Sequence, residues 1–158
     1  MRHLARAHGL YGANEEEHTL CDIAAEGCAE IRSAFSTLAY TTYDSEEKRT
    51  AHHEYMVGKM LPRFERILEA NSKAHGEGKY LVGTGITYAD YILFELLDLH
   101  VMMFESCLDS LPRLKAYYER VKARPNLQAY FSSDRRMKYA NGRSAKWGPH
   151  PGGVEYSG

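Results

Sequence analysis

The chain has 158 residues, with 20 Lys plus Arg against 21 Asp plus Glu and a formal net charge of −1. That length is one domain, or one with a tail, able to bury roughly 68–70% of its unfolded surface without help from a disulfide or metal. The charge balance argues against a polybasic nucleic-acid or membrane-surface protein, and 44% hydrophobic with 11% aromatic residues excludes general disorder.

Taken in chain order, the sequence reads as helical nearly throughout. Asn14 followed by Glu15, Glu16 and Glu17 is a helix start, with an Asn cap and Glu17 at the capping-box position. Leu20, Ile23, Gly27, Ile31, Ala34 and Leu38 then recur at spacings of three and four, which predicts one buried stripe. Ala24, Ala25, Gly27 and Ala29 are small enough to let another helix approach. Residues 40–45 read as a break. A second helix is expected from Ser45, with Val57, Leu61, Phe64 and Leu68 as its core stripe and a kink at Pro62. Residues 71–79 read as a loop by composition.

Thr87-Tyr88-Ala89-Asp90 is the sharpest boundary, a capping box with Asp in the usual Glu place. Ile86 and Tyr91 stand at hydrophobic-staple spacing around it. Residues 91–99 are apolar on nearly all sides, as expected of a helix in the middle of a bundle. Leu111, Leu114, Tyr118 and Val121 mark a fourth helix, and a short last one is expected over 126–132. From Lys138 onward glycines and prolines dominate, which predicts a flexible tail, with Trp147 able to pin part of it. The fold class is therefore all-α, a bundle of about five helices.

Chemistry-bearing clusters are sparse. Cys21, Cys28 and Cys107 form no C-x-x-C pair, which fits a reducing, cytoplasmic home. Cys21 and Cys28, two turns apart, read as packing. The first eight residues are basic, but no apolar run follows them, and the stretch 91–104 is broken by Glu95, Asp98 and His100. No membrane span and no targeting signal are expected. The eight histidines lack metal-ligand spacing, so no metal is expected. Gly83-Thr84-Gly85 lacks the lysine of a phosphate loop. Asp90 reads as a cap. Tyr40 has two readings: a half-buried phenol with its hydroxyl in water, or a donor into a cleft.

Several segments resemble one family. Leu4-Ala5-Arg6-Ala7-His8-Gly9-Leu10-Tyr11-Gly12 resembles the segment joining the two domains of cytosolic glutathione transferases. Gly85-Ile86-Thr87-Tyr88-Ala89-Asp90-Tyr91 resembles that family's capping box and staple. Cys107-Leu108-Asp109-Ser110-Leu111-Pro112 and Ala123-Arg124-Pro125-Asn126-Leu127 resemble its later helix boundaries. Their order, with Tyr40-Thr41-Thr42-Tyr43, is most similar to the pi class, with mu and sigma as near relatives.

The resemblance implies a C-terminal, all-helical transferase domain over 13–137. Residues 1–12 would be a remnant of the interdomain helix and linker, and 138–158 a Gly/Pro-rich flexible tail. It also implies a missing thioredoxin-like N-terminal domain that binds the co-substrate glutathione, and a homodimer in the complete enzyme. The reaction would join the glutathione thiolate to a hydrophobic small-molecule electrophile, a detoxification chemistry, with no nucleic-acid or membrane partner. This chain alone would bind no cofactor, supply no certain catalytic residue and be inactive. By position, Tyr40 would be an auxiliary donor in the electrophile site, lined also by Phe35, Ser36 and Gly142. Glu30 would reach the glutathione of the partner subunit, and Ile86, Thr87 and Asp90 would be structural capping residues. A non-catalytic helical module that binds proteins or ligands is the alternative.

Overall fold

The computed structural model describes residues 1–76, 78–136, 141–142 and 144–148. Seven α-helices fill most of this length: α1 Arg2–Ala7, α2 Glu15–Thr37, α3 Glu46–Tyr55, α4 Leu61–His75, α5 Tyr88–Met103, α6 Pro112–Lys122 and α7 Pro125–Phe131. Two π-helical turns interrupt them, Leu38–Thr42 after α2 and Met56–Met60 between α3 and α4. No strand occurs among the described residues.

The helix starts follow local chemistry. Asn14 Oδ1 accepts the Glu17 N–H at 3.0 Å, while the Glu17 carboxylate turns back to take the Ala13 N–H at 2.8 Å. Ser45 Oγ accepts the Lys48 N–H at 3.3 Å. Both arrangements satisfy amides that a helix leaves unpaired at its first turn.

α5 is the central element. Tyr88, Ala89, Asp90, Leu93, Phe94, Leu96, Leu97 and His100 are all buried on it. It packs most extensively on α2, then on α6. The α2 face that meets it carries Cys21, Ala24, Cys28, Ile31 and Phe35. This corrects the expected stripe. Ile31 and Leu38 are buried, but Leu20 and Ile23 remain 44% and 59% exposed. The small side chains of Cys21, Ala24 and Cys28 admit the bulk of α5, and one residue of helix rotation, about 100°, turns Leu20 and Ile23 away. Gly27 meets α4: a Cβ there would lie 3.2 Å from Phe64 Cζ, so the absent side chain is what admits that ring.

The single helix expected beyond Ser45 is two. Pro62 cannot donate to the backbone ladder, and the structure resolves this with the π turn before α4, which restarts the helix with proline in its first turn. The expected loop at 71–79 starts late, because α4 continues to His75. Buried Asn71 donates Nδ2 to the carbonyls of Tyr80 and Gly83 at 3.0 and 2.8 Å, tying down the turn that leads to α5. The last helix opens on Pro125, one residue before the expected Asn126.

α1 is held to the bundle through Asp22. This carboxylate accepts from Arg2 Nε at 2.9 Å, from Tyr88 Oη at 2.6 Å and from Tyr11 Oη at 2.8 Å. Burial alone would raise its pKa, but hydrogen bonds from Tyr88, Arg2 and Tyr11 outweigh it and hold the group down to about 2.

The expected flexible tail includes residues that the structure places on the body. Trp147 is 9% exposed, and Asn141 and Ala145 are also buried. Trp147 sits edge-on to Phe35, ring centroids 5.6 Å apart at 90°, and 6.3 Å from the Tyr43 ring. Residues 138–140, 143 and 149–158 lie outside the described residues.

Candidate functional site

The C-terminal end of α2 and the π turn that follows gather four of the residues singled out by sequence. Ser36 and Tyr40 are one helical turn apart and both half-buried. Tyr40 lies inside the π turn, the kind of widened turn that is frequent at functional sites. Its hydroxyl oxygen accepts the Gly142 N–H at 2.7 Å. One lone pair of Oη is thereby occupied, and the phenol keeps its own proton for donation elsewhere. Phe35 points the other way: it is buried, packed on Trp147 and on the His100 ring at 5.5 Å. Ser36, Tyr40 and Gly142 form a surface, and Phe35 is the layer beneath it.

Residues 144–148 run beside this turn. The Lys146 N–H donates to Ala39 O at 2.7 Å, and its ammonium meets Asp44 Oδ2 at 2.8 Å. Asn141 Nδ2 donates to Trp147 O at 2.7 Å, which ties the two ends of the segment together.

Glu30 is not part of this group. It lies on α2, ten residues before Tyr40 in the following π turn. Its carboxylate is exposed and paired with Arg63 Nη1 at 2.7 Å. It lines a groove of about 770 Å³ between α2 and α4, with Asp22, Ile23, Gly27, Arg63, Arg66 and Ile67 among its walls.

The capping residues are a separate structure at the start of α5. Asp90 Oδ2 accepts the Thr87 N–H at 2.7 Å and the Thr87 hydroxyl at 2.8 Å. Oδ1 accepts the Leu81 N–H at 2.9 Å, and the Tyr117 hydroxyl sits within 3.2 Å of it. Asp90 is fully buried, and burial pushes its pKa up, against these donors, which favour the charged form. Ile86, just before the cap, is half-buried. Both carboxylate oxygens are thus engaged by the polypeptide itself.

One arrangement escaped the sequence reading. His52 on α3 and His100 on α5 face each other with Nε2 atoms 3.2 Å apart. Their centroids are 5.4 Å apart with rings only 12° from parallel. The centroid separation exceeds the nitrogen separation by two ring radii, so the nitrogens meet head-on, edge to edge. His100 Nδ1 lies 2.7 Å from Leu96 O, which can only accept, so His100 carries its proton there and offers Nε2 as acceptor to His52. His52 then donates its Nε2–H across the gap, an N–H···N hydrogen bond. Burial, with His100 and His53 nearby, lowers His52 to about 4, and burial lowers His100 as well. Forty-eight residues separate the pair, and no local pattern announces it.

Comparison with known proteins decides the family. The profile for "Glutathione S-transferase, C-terminal domain" matches residues 29–134. The chain belongs to the glutathione S-transferase C-terminal domain family. It is 42% identical over 130 residues to "Glutathione S-transferase P 10" of Caenorhabditis elegans, covering 82% of this chain and 58% of that protein. It is 37% identical to human "Glutathione S-transferase P", covering 84% of this chain and 60% of that one. The solved pi-class enzyme of Onchocerca volvulus superposes with a TM-score of 0.72 at 35% identity, over 82% of this chain and 60% of that one. The family's all-helical half is thus present, and the chain spans about 60% of the length of these relatives.

Proposed function

We propose that this chain is the electrophile-binding half of a pi-like glutathione transferase. Glutathione would be held, and its thiol activated, by a thioredoxin-like domain supplied from elsewhere. The observation that carries the reading is the half-buried Tyr40 hydroxyl, fixed by Gly142 and keeping its own proton, on a chain that matches only the helical part of its relatives. An apolar electrophile would rest on Ser36, Tyr40 and Gly142, with Phe35 as the floor. Tyr40 would donate its proton toward negative charge that develops as the thiolate adds, a stabilisation present mainly in the transition state. Ser36 places a hydroxyl in the wall, which favours electrophiles with a polar substituent.

A second copy fits the α2–α4 groove. The α2 side offers Asp22, Glu26 and Glu30, the α4 side Arg63 and Arg66, and Ile23 stands exposed between them. Two-fold pairing would set the acidic edge of one copy on the basic edge of the other. It would also carry Glu30 toward the glutathione of the partner subunit. The buried thiols of Cys21, Cys28 and Cys107 fit a cytoplasmic home.

The test is turnover. The isolated chain with glutathione and an aryl halide is expected to give none above background. Fusion behind the thioredoxin-like domain of a pi-class relative is expected to restore conjugation, with Tyr40→Phe lowering kcat about 10-fold or more, the scale of one lost proton donor. Glutathione-dependent turnover by the isolated chain would overturn the division of labour. A fusion that binds glutathione yet turns over nothing would favour the non-catalytic module.

A further inference from the structure

The tail and Tyr40 are linked by a chain of contacts that runs through Trp147. Trp147 is buried against Phe35, edge to face, and against Tyr43. Its carbonyl accepts from the buried Asn141 side chain, and the next residue, Gly142, donates its N–H to Tyr40 Oη. Lys146 holds the segment a second time, through Ala39 O and Asp44. Four of these attachments land on residues 39–44, the π turn and its exit. A π turn is an uncommon widening of the helix, frequent at functional sites. The indole contributes most of the segment's buried apolar area, because Ala145 is the only other buried hydrophobic in it among the described residues.

We propose that Trp147 is a positioning residue for the candidate electrophile site. Seated on Phe35 and Tyr43, it holds Asn141 and Gly142 in place, and through the Gly142 N–H it fixes the direction of the Tyr40 hydroxyl. The assignment rests on the reading of Tyr40 as a wall of that site. Loss of the indole frees the segment, the Gly142 amide leaves Oη, and the phenol swings between water and the pocket. The wall survives in composition but not in orientation.

Two measurements on the present chain test this. Trp147 is the only tryptophan, so its emission reports its own seat without interference. Amide exchange of Gly142 reports the bond to Tyr40. In Trp147→Ala, Gly142 exchange should accelerate at least about 10-fold while the Leu93 amide in the core is unchanged, and Trp147→Phe should stay within about 3-fold of wild type. In Tyr40→Phe, Gly142 exchange should accelerate while Trp147 emission stays put. The second measurement is a double-mutant cycle on the affinity of an anilinonaphthalene sulfonate dye. If Trp147 acts through Tyr40, the alanine change adds nothing in the Tyr40→Phe background. Wild-type exchange of Gly142 in Trp147→Ala, or multiplicative effects in the cycle, would overturn the proposal. Should Trp147→Ala also release the Leu93 amide, Trp147→Leu and Trp147→Phe carry the comparison. Equal dye binding by wild type and Tyr40→Phe would sink the pocket reading alone, with Gly142 exchange still deciding whether Trp147 governs Tyr40.

Discussion

Asp90 and His52 show how the same low-dielectric core treats two ionisable side chains. Asp90 is buried with donors from three separate stretches: Leu81 N–H, the Thr87 N–H and hydroxyl, and Tyr117. Truncation strands at least two buried amides, each costing about 1–3 kcal/mol. Asp90→Ala is therefore expected to destabilise the fold by about 3–5 kcal/mol, and Asp90→Asn by less, because one carbonyl oxygen still accepts. Urea unfolding followed by circular dichroism checks both. His52 is held neutral instead. Its ordinary value is 6.5 and the fold lowers it to about 4, so between those limits the unfolded chain binds a proton that the folded one refuses. Stability then rises with pH across this window and is lost as pH falls through it. The expected outcome is a steeper loss of urea midpoint from pH 6.5 to 4 in wild type than in His52→Gln. Equal slopes would show that the pair does not titrate with unfolding. Asp22, lowered from 3.8 to about 2, contributes mainly below this window and is common to both proteins, so it does not confuse the comparison.

At the scale of elements, the legible parts were those governed by neighbours in sequence. Asn14, Ser45 and Thr87 open helices because a short polar side chain can reach an amide two or three residues on, and that geometry is local. The all-apolar α5 was legible because its burial leaves no polar face to orient. The facing of α2 was not. Leu20 and Ile23 have the right spacing for a core stripe, yet the face chosen is the one whose small side chains match the bulk of α5. Periodicity gives the existence of a face, and complementarity with another helix gives its direction. The start of α6 depends equally on distance: the Glu65 carboxylate of α4 accepts the Arg113 and Leu114 N–H groups at 3.0 and 2.7 Å. No residue beside Pro112 does that work, so no capping motif stands there to be read. In the candidate site, position gave Ser36, Tyr40 and Gly142 by resemblance. The inward aim of Phe35, the hold of Trp147 and the His52–His100 contact depend on contacts made across the fold. Tail composition reads as freedom with Trp147 as the one residue able to pin it, and among residues 144–148 that aromatic is buried on the body.

For the molecule as a whole, the α2–α4 groove is the surface on which the proposed pairing of two copies rests. Ile23, 59% exposed, and Leu20, 44% exposed, are among the largest hydrophobics left in water, and both lie on α2. Among the described residues no helix is long and apolar enough to cross a membrane, so that face is not part of a helical span. Acidic α2 and basic α4 edges flank Ile23, which suits a self-complementary partner better than a uniformly charged one. Wild-type chain is therefore expected to sediment as a dimer at tens of micromolar. Ile23→Glu would bring a new carboxylate beside Asp22 and Glu26 and bury it without a partner. That should raise the dimer Kd by at least about 10-fold, or about 1.4 kcal/mol. The side chain is solvent-exposed in the monomer, so thermal stability of dilute chain should change little. Sedimentation velocity across a concentration series distinguishes the cases. A dimer that tolerates Ile23→Glu would place the second copy on another face. A wild-type chain that is monomeric throughout would mean that the groove alone cannot hold two copies.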